Sequence, residues 1–394
     1  MRIGILSPSF PPNREPCGVG DFTKKLVPEL VRCGVELVVL TSLDYAGPDE
    51  AGGASVVGIS RSWGPGALLK IARAVREREL DALLIQYAPD LYPPSPRWIH
   101  ALPVAMKLLV PGVPSVFSMH TVGVSTAASK AGAALMIRTA AAILSTNEEV
   151  TRLIGRYLPS MLRKTYEIPI GANIEPPPGG REEVRREVRE ETGLGPDGMV
   201  LAHFGFYYPG KGVEQILEAA GKWKTQGRAF RLFMIGGRRE NDEGFYSALQ
   251  ERAASLGLSG EVIWTGYVAS ERVTEILLAS DLFLAPYEGG VSSRRGSLMA
   301  ALVHGLPVVS TPPKLRTRHF RDGENFAAVP FGDTGALAAE GAALMDDPER
   351  RARLRAGAEA LAKVFSWPLI AGNTRDFLES VLAGKPLSET GRAV

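Results

Sequence analysis

The sequence predicts an α/β protein made of two doubly wound domains, each with a parallel sheet. Three observations carry that expectation. Short apolar runs alternate with helical stretches, the alternation restarts near Met199, and a Pro/Gly segment, GANIEPPPGG (Gly171 to Gly180), separates the two series. Continuous apolar strands spaced by helices argue for a parallel sheet covered on both faces. Pro and Gly clusters mark the joins of a chain.

The first half opens with a strand at Ile3–Ser7 and a loop rich in Pro and Gly, Pro8 to Gly20. A helix follows from about Asp21 to Cys33, then a strand at Glu36–Thr41. Further strands are expected at Ala82–Gln86, Ser115–His120, Ala142–Ser145 and Tyr166–Pro169. After the join, REEVRREVREETG reads as a charged helix whose charges form a solvated face with i,i+4 pairs. The second half then restarts with a strand at Met199–Phe204, a Gly-rich turn and a helix at Val213–Gln226. Strands at Arg231–Ile235, Val262–Thr265, Leu282–Ala285 and Pro307–Ser310 follow, with a short helix, Gly296 to His304, before the last. A final helix lies near Trp367 to Leu382, at a break marked by Pro368.

Composition narrows the function classes. The chain has 394 residues, 45% apolar and 22% charged, enough for two domains with sizeable cores. A net charge of +2 is too small to make nucleic acid or a membrane the main partner. Two cysteines, Cys17 and Cys33, give neither a disulfide framework nor metal-ligand spacing, which favours a reducing compartment. MRIGIL reads as a buried strand rather than a signal peptide, and no apolar run reaches bilayer length, so the expected location is cytoplasmic. The stretch Arg97 to Val110 is amphipathic enough to touch a membrane, but reads first as a domain helix with an apolar face. Membrane contact is therefore expected to be peripheral at most.

In doubly wound sheets a ligand sits beyond the carboxyl ends of the strands. Three loops there are suited to an anion. The first is CGVGD, where Gly18 and Gly20 let backbone N–H groups approach a ligand at a helix start. A plain glycine turn with Asp21 as N-cap fits the same letters. The second is HFGFYYPGKG, in which Gly205 ends a strand and Lys211 stands just before a helix. The third runs from Ser292 to Ser297 and places Arg294 and Arg295 at a helix start, against the helix dipole. Arginines there make sense when an anion lies between them and the free amides. Pairing to carboxylates elsewhere is the alternative.

At this point the chain resembles the retaining nucleotide-sugar glycosyltransferases of the GT-B fold, glycosyltransferase family 4 (glycosyl transferases group 1). PSFPPNREPCGVGDFTKKLVPELVRCGVELVVLT is similar to that family's start, and IPIGANI to its Ile-Pro-Asn-Gly-Val-Asp strand end. HFGFYYPGKGVEQILEAA resembles its Gly-Arg to Lys-Gly segment. LFMIGG, VIWTGYV and ASDLFLAPYEG follow in the family order, and AALVHGLPVVST resembles its Glu-Ala-Met-Ala signature. The resemblance implies two Rossmann-like domains facing across a cleft. Their expected bounds are residues 1–172, joined by a returning C-terminal helix at about 367–394, and residues 173–366. It implies a retaining transfer of sugar from a nucleoside diphosphate sugar, UDP- or GDP-linked, to a small-molecule, lipid-linked or glycan acceptor. No metal and no other cofactor are expected, since the chain has no Asp-x-Asp pair and no His/Cys cluster.

The departures from the family are specific. Its diphosphate-binding Arg falls on Phe206, while its Lys is kept as Lys211. Counting back from Gly305, its second Glu falls on Ala300 and its first on Ser292, unless Glu288 takes that role through a longer loop. Its Asn-Gly-Val-Asp becomes Ile170-Gly171-Ala172-Asn173. One positive charge is thus missing from one loop and two are added in another. The expected catalytic set is Lys211, Arg295, Arg294, His120 and Glu288, with His120 facing the transferred sugar as in the family. The expected substrate-binding set is Gly18, Gly20, Asn173, Gly205, Phe206, Ser297 and Leu298. Asp90 and Tyr92 are candidates to meet the acceptor. Two other readings stay open: a nucleotide-sugar binding module that has lost catalysis, and a GT-B phosphorylase or epimerase.

Overall fold

A computed structural model describes residues 1–12, 17–93, 97–123, 126–177, 179, 181–195, 197–237, 243–315 and 317–385. The chain forms two compact units, Met1–Gly171 with Ser366–Val394, and Ala172–Phe365.

The first unit runs β1 (Arg2–Leu6), α1 (Gly18–Arg32), β2 (Glu36–Ser42), β3 (Glu50–Ala51), β4 (Ala54–Ser60), α2 (Pro65–Glu77) and β5 (Ala82–Tyr87). It continues through α3 (Leu102–Leu109), β6 (Ser115–Met119), α4 (Ala127–Thr139), β7 (Ala142–Ser145), α5 (Glu148–Tyr157) and β8 (Thr165–Glu167). The sheet order is β3-β4-β2-β1-β5-β6-β7-β8, parallel apart from the β3/β4 pair. Every residue of β5 is buried. Its alternate side chains enter two different cores, as the two-residue repeat of a strand requires. Leu83 and Ile85 join Ile71, Val75 and Met106, whereas Ala82 and Leu84 join Phe22, Leu26 and Leu30. Each leucine so buried contributes about 1.5–3 kcal/mol relative to exposure.

The second unit runs α6 (Arg181–Glu191), β9 (Met199–Phe204), α7 (Val213–Thr225), β10 (Phe230–Ile235), α8 (Glu243–Ser255), β11 (Val262–Gly266) and α9 (Ser270–Ala279). It continues through β12 (Leu282–Ala285), α10 (Gly296–Val303), β13 (Val308–Ser310), β14 (Ala327–Ala328), α11 (Thr334–Asp346) and α12 (Pro348–Ala362). Its sheet is parallel, in the order β11-β10-β9-β12-β13-β14. The same alternation divides its core, with Phe233 and Phe283 on one face and Leu232, Met234 and Leu284 on the other. The last helix, α13 (Trp367–Leu382), belongs to the first unit, where buried Trp367 lies 5.4 Å from Phe22 between ring centroids.

Several sequence expectations need correction. Helix α1 begins at Gly18 with Cys17 at the N-cap, so Asp21 sits in the first turn and is not the cap. The stretch 97–110 is not one helix: a 3₁₀ turn, Trp98–Ala101, precedes α3, whose first turn holds Pro103. Proline fits a first turn because the N–H it lacks has no helical partner there. Strands β3, β4 and β14 were not expected. β3 and β14 are two residues long, and β4 (ASVVGIS) carries Gly and Ser in a strand of mixed exposure, next to the edge of the sheet.

The charged helix α6 is not merely a solvated face. Arg185 Nη2 lies 2.5 Å from Asp281 Oδ1, Arg189 Nη1 is 3.7 Å from Asp281 Oδ2, and Arg181 Nη1 donates to His304 O at 3.0 Å. Asp281 is buried and also accepts from Val200 N at 2.8 Å. These arginines fasten α6 to the ends of β9 and β12 and to the end of α10. Among the described residues, no helix is long and apolar enough to cross a membrane.

Candidate active site

In the second sheet the strand order turns around at β9, which lies between β10 and β12. Loops leaving the carboxyl ends of β9 and β12 therefore diverge and open a crevice between them. Loop 205–212 follows β9 and loop 286–295 follows β12. The two are joined by a hydrogen bond from Glu288 N to Gly210 O at 2.9 Å.

Gly205 has φ +141°, a conformation that side chains rarely adopt. A Cβ added there would lie 3.7 Å from Lys211 Nζ and 3.9 Å from Ser297 Oγ, so the ends of both side chains lie beside this glycine. Ser297 Oγ is 2.9 Å from the hydroxyl of Tyr287, a residue fully buried just past the end of β12. Lys211 Nζ stands 5.0 Å from the ring centroid of Tyr208 and 5.1 Å from that of Tyr287. The Arg295 guanidinium carbon is 4.1 Å from the same Tyr287 centroid, and its Nε donates to Gly290 O at 2.8 Å. Burial draws the Arg295 pKa down and pushes the Tyr287 phenol up.

Arg295 is the N-cap residue of α10, and no side-chain cap bond closes that end. The first amides of the helix, at Gly296, Ser297 and Leu298, precede its internal hydrogen bonds and favour an anion. Leu298 itself is wholly buried, whereas Gly296 is exposed and Ser297 half-buried at the open end of the helix. Arg294 is exposed, and its charge helps to lower the Arg295 pKa. The Glu288 carboxylate lies over Gly210, its Oε2 2.9 Å from where a Cβ would stand and its Oε1 4.0 Å from Lys314 Nζ. Phe206, at the position of the family's arginine, is 45% exposed. Asn173 is exposed on a separate segment near the start of the unit.

The other expected residues lie in the first unit. His120 directly follows β6, and its Nε2–H donates to Gln86 Oε1 at 2.8 Å, leaving Nδ1 as the bare nitrogen of a neutral ring. Phe22 packs edge-on at 4.9 Å, and burial pulls the His120 pKa down to about 3, so the ring is neutral at pH 7. Gly18 is exposed at the start of α1. Gly20 is buried, and a Cβ there would come within 2.3 Å of Ser9 O. Close packing thus accounts for Gly20 without a ligand. Asp90 is exposed, whereas Tyr92 is buried with its hydroxyl donating to Gln86 O at 2.9 Å, which removes it as an acceptor contact.

The sequence reading missed Tyr287 and Tyr208. The signal available was an aromatic residue between the strand end and the arginines, in APYEGG. No group of three or more His, Cys, Asp or Glu side chains that could hold a metal occurs among the described residues.

A lysine, an arginine and an open helix start, gathered at the switch point of a parallel sheet, define an α/β protein with a candidate anion site. Two family descriptions match the chain, "Glycosyl transferase 4-like domain" over residues 17–163 and "Glycosyl transferases group 1" over residues 184–361. The chain belongs to this family of GT-B glycosyltransferases. A D-inositol 3-phosphate glycosyltransferase of Nocardia farcinica is 29% identical over 244 residues, 61% of this chain and 52% of that protein. The match thus spans about half the length of that relative. A phosphatidyl-myo-inositol mannosyltransferase of Mycolicibacterium smegmatis is 26% identical over 410 aligned residues, covering 100% of this chain and 97% of the relative. Among solved structures, a Rickettsia africae glycosyltransferase superposes with a TM-score of 0.75 at 14% identity, covering 97% of this chain and 98% of its own. Anabaena HepE in complex with UDP and glucose superposes with a TM-score of 0.72 at 17% identity, over 96% of this chain and 100% of its own. These likenesses show the GT-B fold.

Proposed function

We propose that the chain is a retaining glycosyltransferase that takes a UDP- or GDP-sugar into the second unit and passes the sugar to an acceptor bound by the first. The observation that carries this reading is the placing of Lys211 and Ser297 beside Gly205, with Arg295 at the open start of α10. As the glycosidic bond stretches, the departing diphosphate gains negative charge. Lys211, Arg295 and the amides of Ser297 and Leu298 stabilise that charge in a preorganised site. Removing one such donor typically costs about 10²–10³ in rate. The acceptor hydroxyl forms the new bond on the face from which the diphosphate leaves, and a leaving phosphate oxygen takes its proton. Neutral His120 offers the first unit a hydrogen-bonding nitrogen without adding charge. Glu288, over Gly210 in the loop that carries Lys211, is the carboxylate nearest the role of the family's first Glu.

A second reading has one observation in its favour. The position of the family's second Glu is Ala300, 1% exposed and packed in the core of the second unit. A binding module that has lost catalysis would look the same there. Turnover separates the two. The protein is incubated with UDP- and GDP-sugars, and thermal shift and release of nucleoside diphosphate are followed together, since binding raises apparent stability with ligand concentration. A thermal shift with sugar transfer or donor hydrolysis is expected. A shift without turnover supports the binding module, phosphate-dependent turnover supports a phosphorylase, and no shift with any nucleotide refutes both donor-site readings.

A further inference from the structure

We propose that Tyr287 is a positioning residue of the anion site, its aromatic ring holding the cationic groups of Lys211 and Arg295 in place for one ligand. The proposal rests on the donor-site reading above and assigns a task that the sequence motifs do not.

Tyr287 is 0% exposed although it lies only two residues beyond the end of β12. Its position is fixed through its own polar groups. The carbonyl accepts from Gly290 N at 3.0 Å and from the Thr311 hydroxyl, and the phenol is bonded to Ser297 Oγ at 2.9 Å. Against the ring so fixed lie two cations, Arg295 Cζ at 4.1 Å and Lys211 Nζ at 5.1 Å from the centroid. Gly289 completes the seat, because a Cβ there would stand 2.6 Å from Arg295 Nη2.

Among the described residues, the titratable groups that act on Arg295 are Tyr287, Arg294 and Tyr208, two phenols that are neutral at pH 7 and one cation, and none is a carboxylate. A partly buried guanidinium without a carboxylate is costly to desolvate, and an aromatic face offsets part of that cost. The ring also does something a carboxylate could not. It attracts a cation without neutralising it and without occupying its N–H donors, so those donors and the charge stay available for phosphate oxygens. An Asp or Glu in the same seat would compete with the phosphate for both arginine and lysine.

The test compares Tyr287→Phe, which keeps the ring and loses the hydroxyl, with Tyr287→Met, which keeps most of the volume and loses the ring. Binding of UDP, GDP, uridine and guanosine is measured by calorimetry, with Arg295→Ala alongside. Tyr287→Met should weaken the preferred diphosphate about ten- to thirtyfold and leave the matching nucleoside within about twofold. Tyr287→Phe should stay within about threefold of the parent for the diphosphate. If Tyr287→Met does not fold, pentafluorophenylalanine at position 287 keeps the shape while reversing the charge of the ring face, and it should weaken diphosphate binding relative to Tyr287→Phe. Unchanged diphosphate affinity in the ring-less or fluorinated protein, with Arg295→Ala damaged, would overturn the role of Tyr287 and leave the donor site standing. Equal loss of nucleoside and diphosphate binding would make Tyr287 a packing residue and overturn it too. If Arg295→Ala also binds diphosphate like the parent, the donor-site reading itself fails.

Discussion

Arg295 faces Tyr287 at 4.1 Å and donates through Nε to Gly290, and among the described residues neither Nη group has a hydrogen-bond acceptor. A guanidinium can grip two phosphate oxygens at once, whereas an ammonium is a point charge. Arg295→Lys is therefore expected to lower diphosphate affinity although charge is kept, and Arg295→Ala to lower it further, about 10–100-fold in all. Calorimetry with UDP or GDP against the free nucleoside checks this, and the nucleoside should change little. Phe206 lies in the loop that carries Lys211 and is half exposed, so an arginine there needs no core space. Phe206→Arg should accordingly recover part of the diphosphate affinity lost in Arg295→Ala. Binding by the double variant no better than by Arg295→Ala alone would show that the two positions do not serve one anion.

The element that decides how far the family pattern can be restored is α10. Its residues Leu298 to Leu302 are all buried, and Ala300 O accepts a hydrogen bond from the Nδ1–H of buried His304 at 2.7 Å. Putting the family's second carboxylate at position 300 means placing a charge in that packed layer. Ala300→Glu is expected to destabilise the second unit by about 2–4 kcal/mol, read as a lower denaturant midpoint. A neutral result would mean that the carboxylate reaches solvent or a ligand. Helix α6 depends on the opposite arrangement, a buried carboxylate already satisfied. Asp281 receives Arg185 and the amide of Val200, so Asp281→Ala removes the shared carboxylate acceptor of both donors and the ion-pair partner of Arg189. A loss of about 3–5 kcal/mol is expected, again from denaturant unfolding.

At the scale of the whole molecule, buried imidazoles set a pH dependence. Burial lowers the pKa of His100, His203 and His304 from the ordinary 6.5 to about 4 in each case. The unfolded chain then binds protons that the folded chain refuses, so stability is full above pH 6.5 and falls as the pH drops toward 4. Each such histidine costs about 2 kcal/mol at pH 5. Thermal melting should fall steeply between pH 7 and pH 5. His203→Gln, which retains a donor for Leu284 O, should flatten that slope; an unchanged slope would show that His203 titrates normally. For the reaction, activity should survive a chelator, because Lys211 and Arg295 supply the positive charge that a divalent ion would otherwise bring. Complete loss in chelator, restored by magnesium or manganese, would refute that.

The sequence by itself determined the two series of parallel strands and their helices. Runs such as ALLIQY and LFLA are buried at every position, and a strand apolar on both faces is readable from its letters alone. It also marked Lys211, Arg294 and Arg295, because cations at a helix start oppose the dipole and ask for a reason. It could not show that the loops after β9 and β12 meet, since that follows from the strand order, and the order depends on contacts between residues some 80 positions apart. Gly18 and Gly205 read alike as glycines after a strand, yet Gly18 lies open at the start of α1, while Gly205 has the ends of a lysine and a serine beside it. Nor could it distinguish Tyr287 from a core tyrosine. The letters give an aromatic residue near two cations, and only the folded loops place the ring against both and bond its hydroxyl to Ser297. Burial and apolar periodicity are local properties that a sequence carries, whereas the convergence of charges from separate loops exists only once the sheet has fixed which strand ends are neighbours.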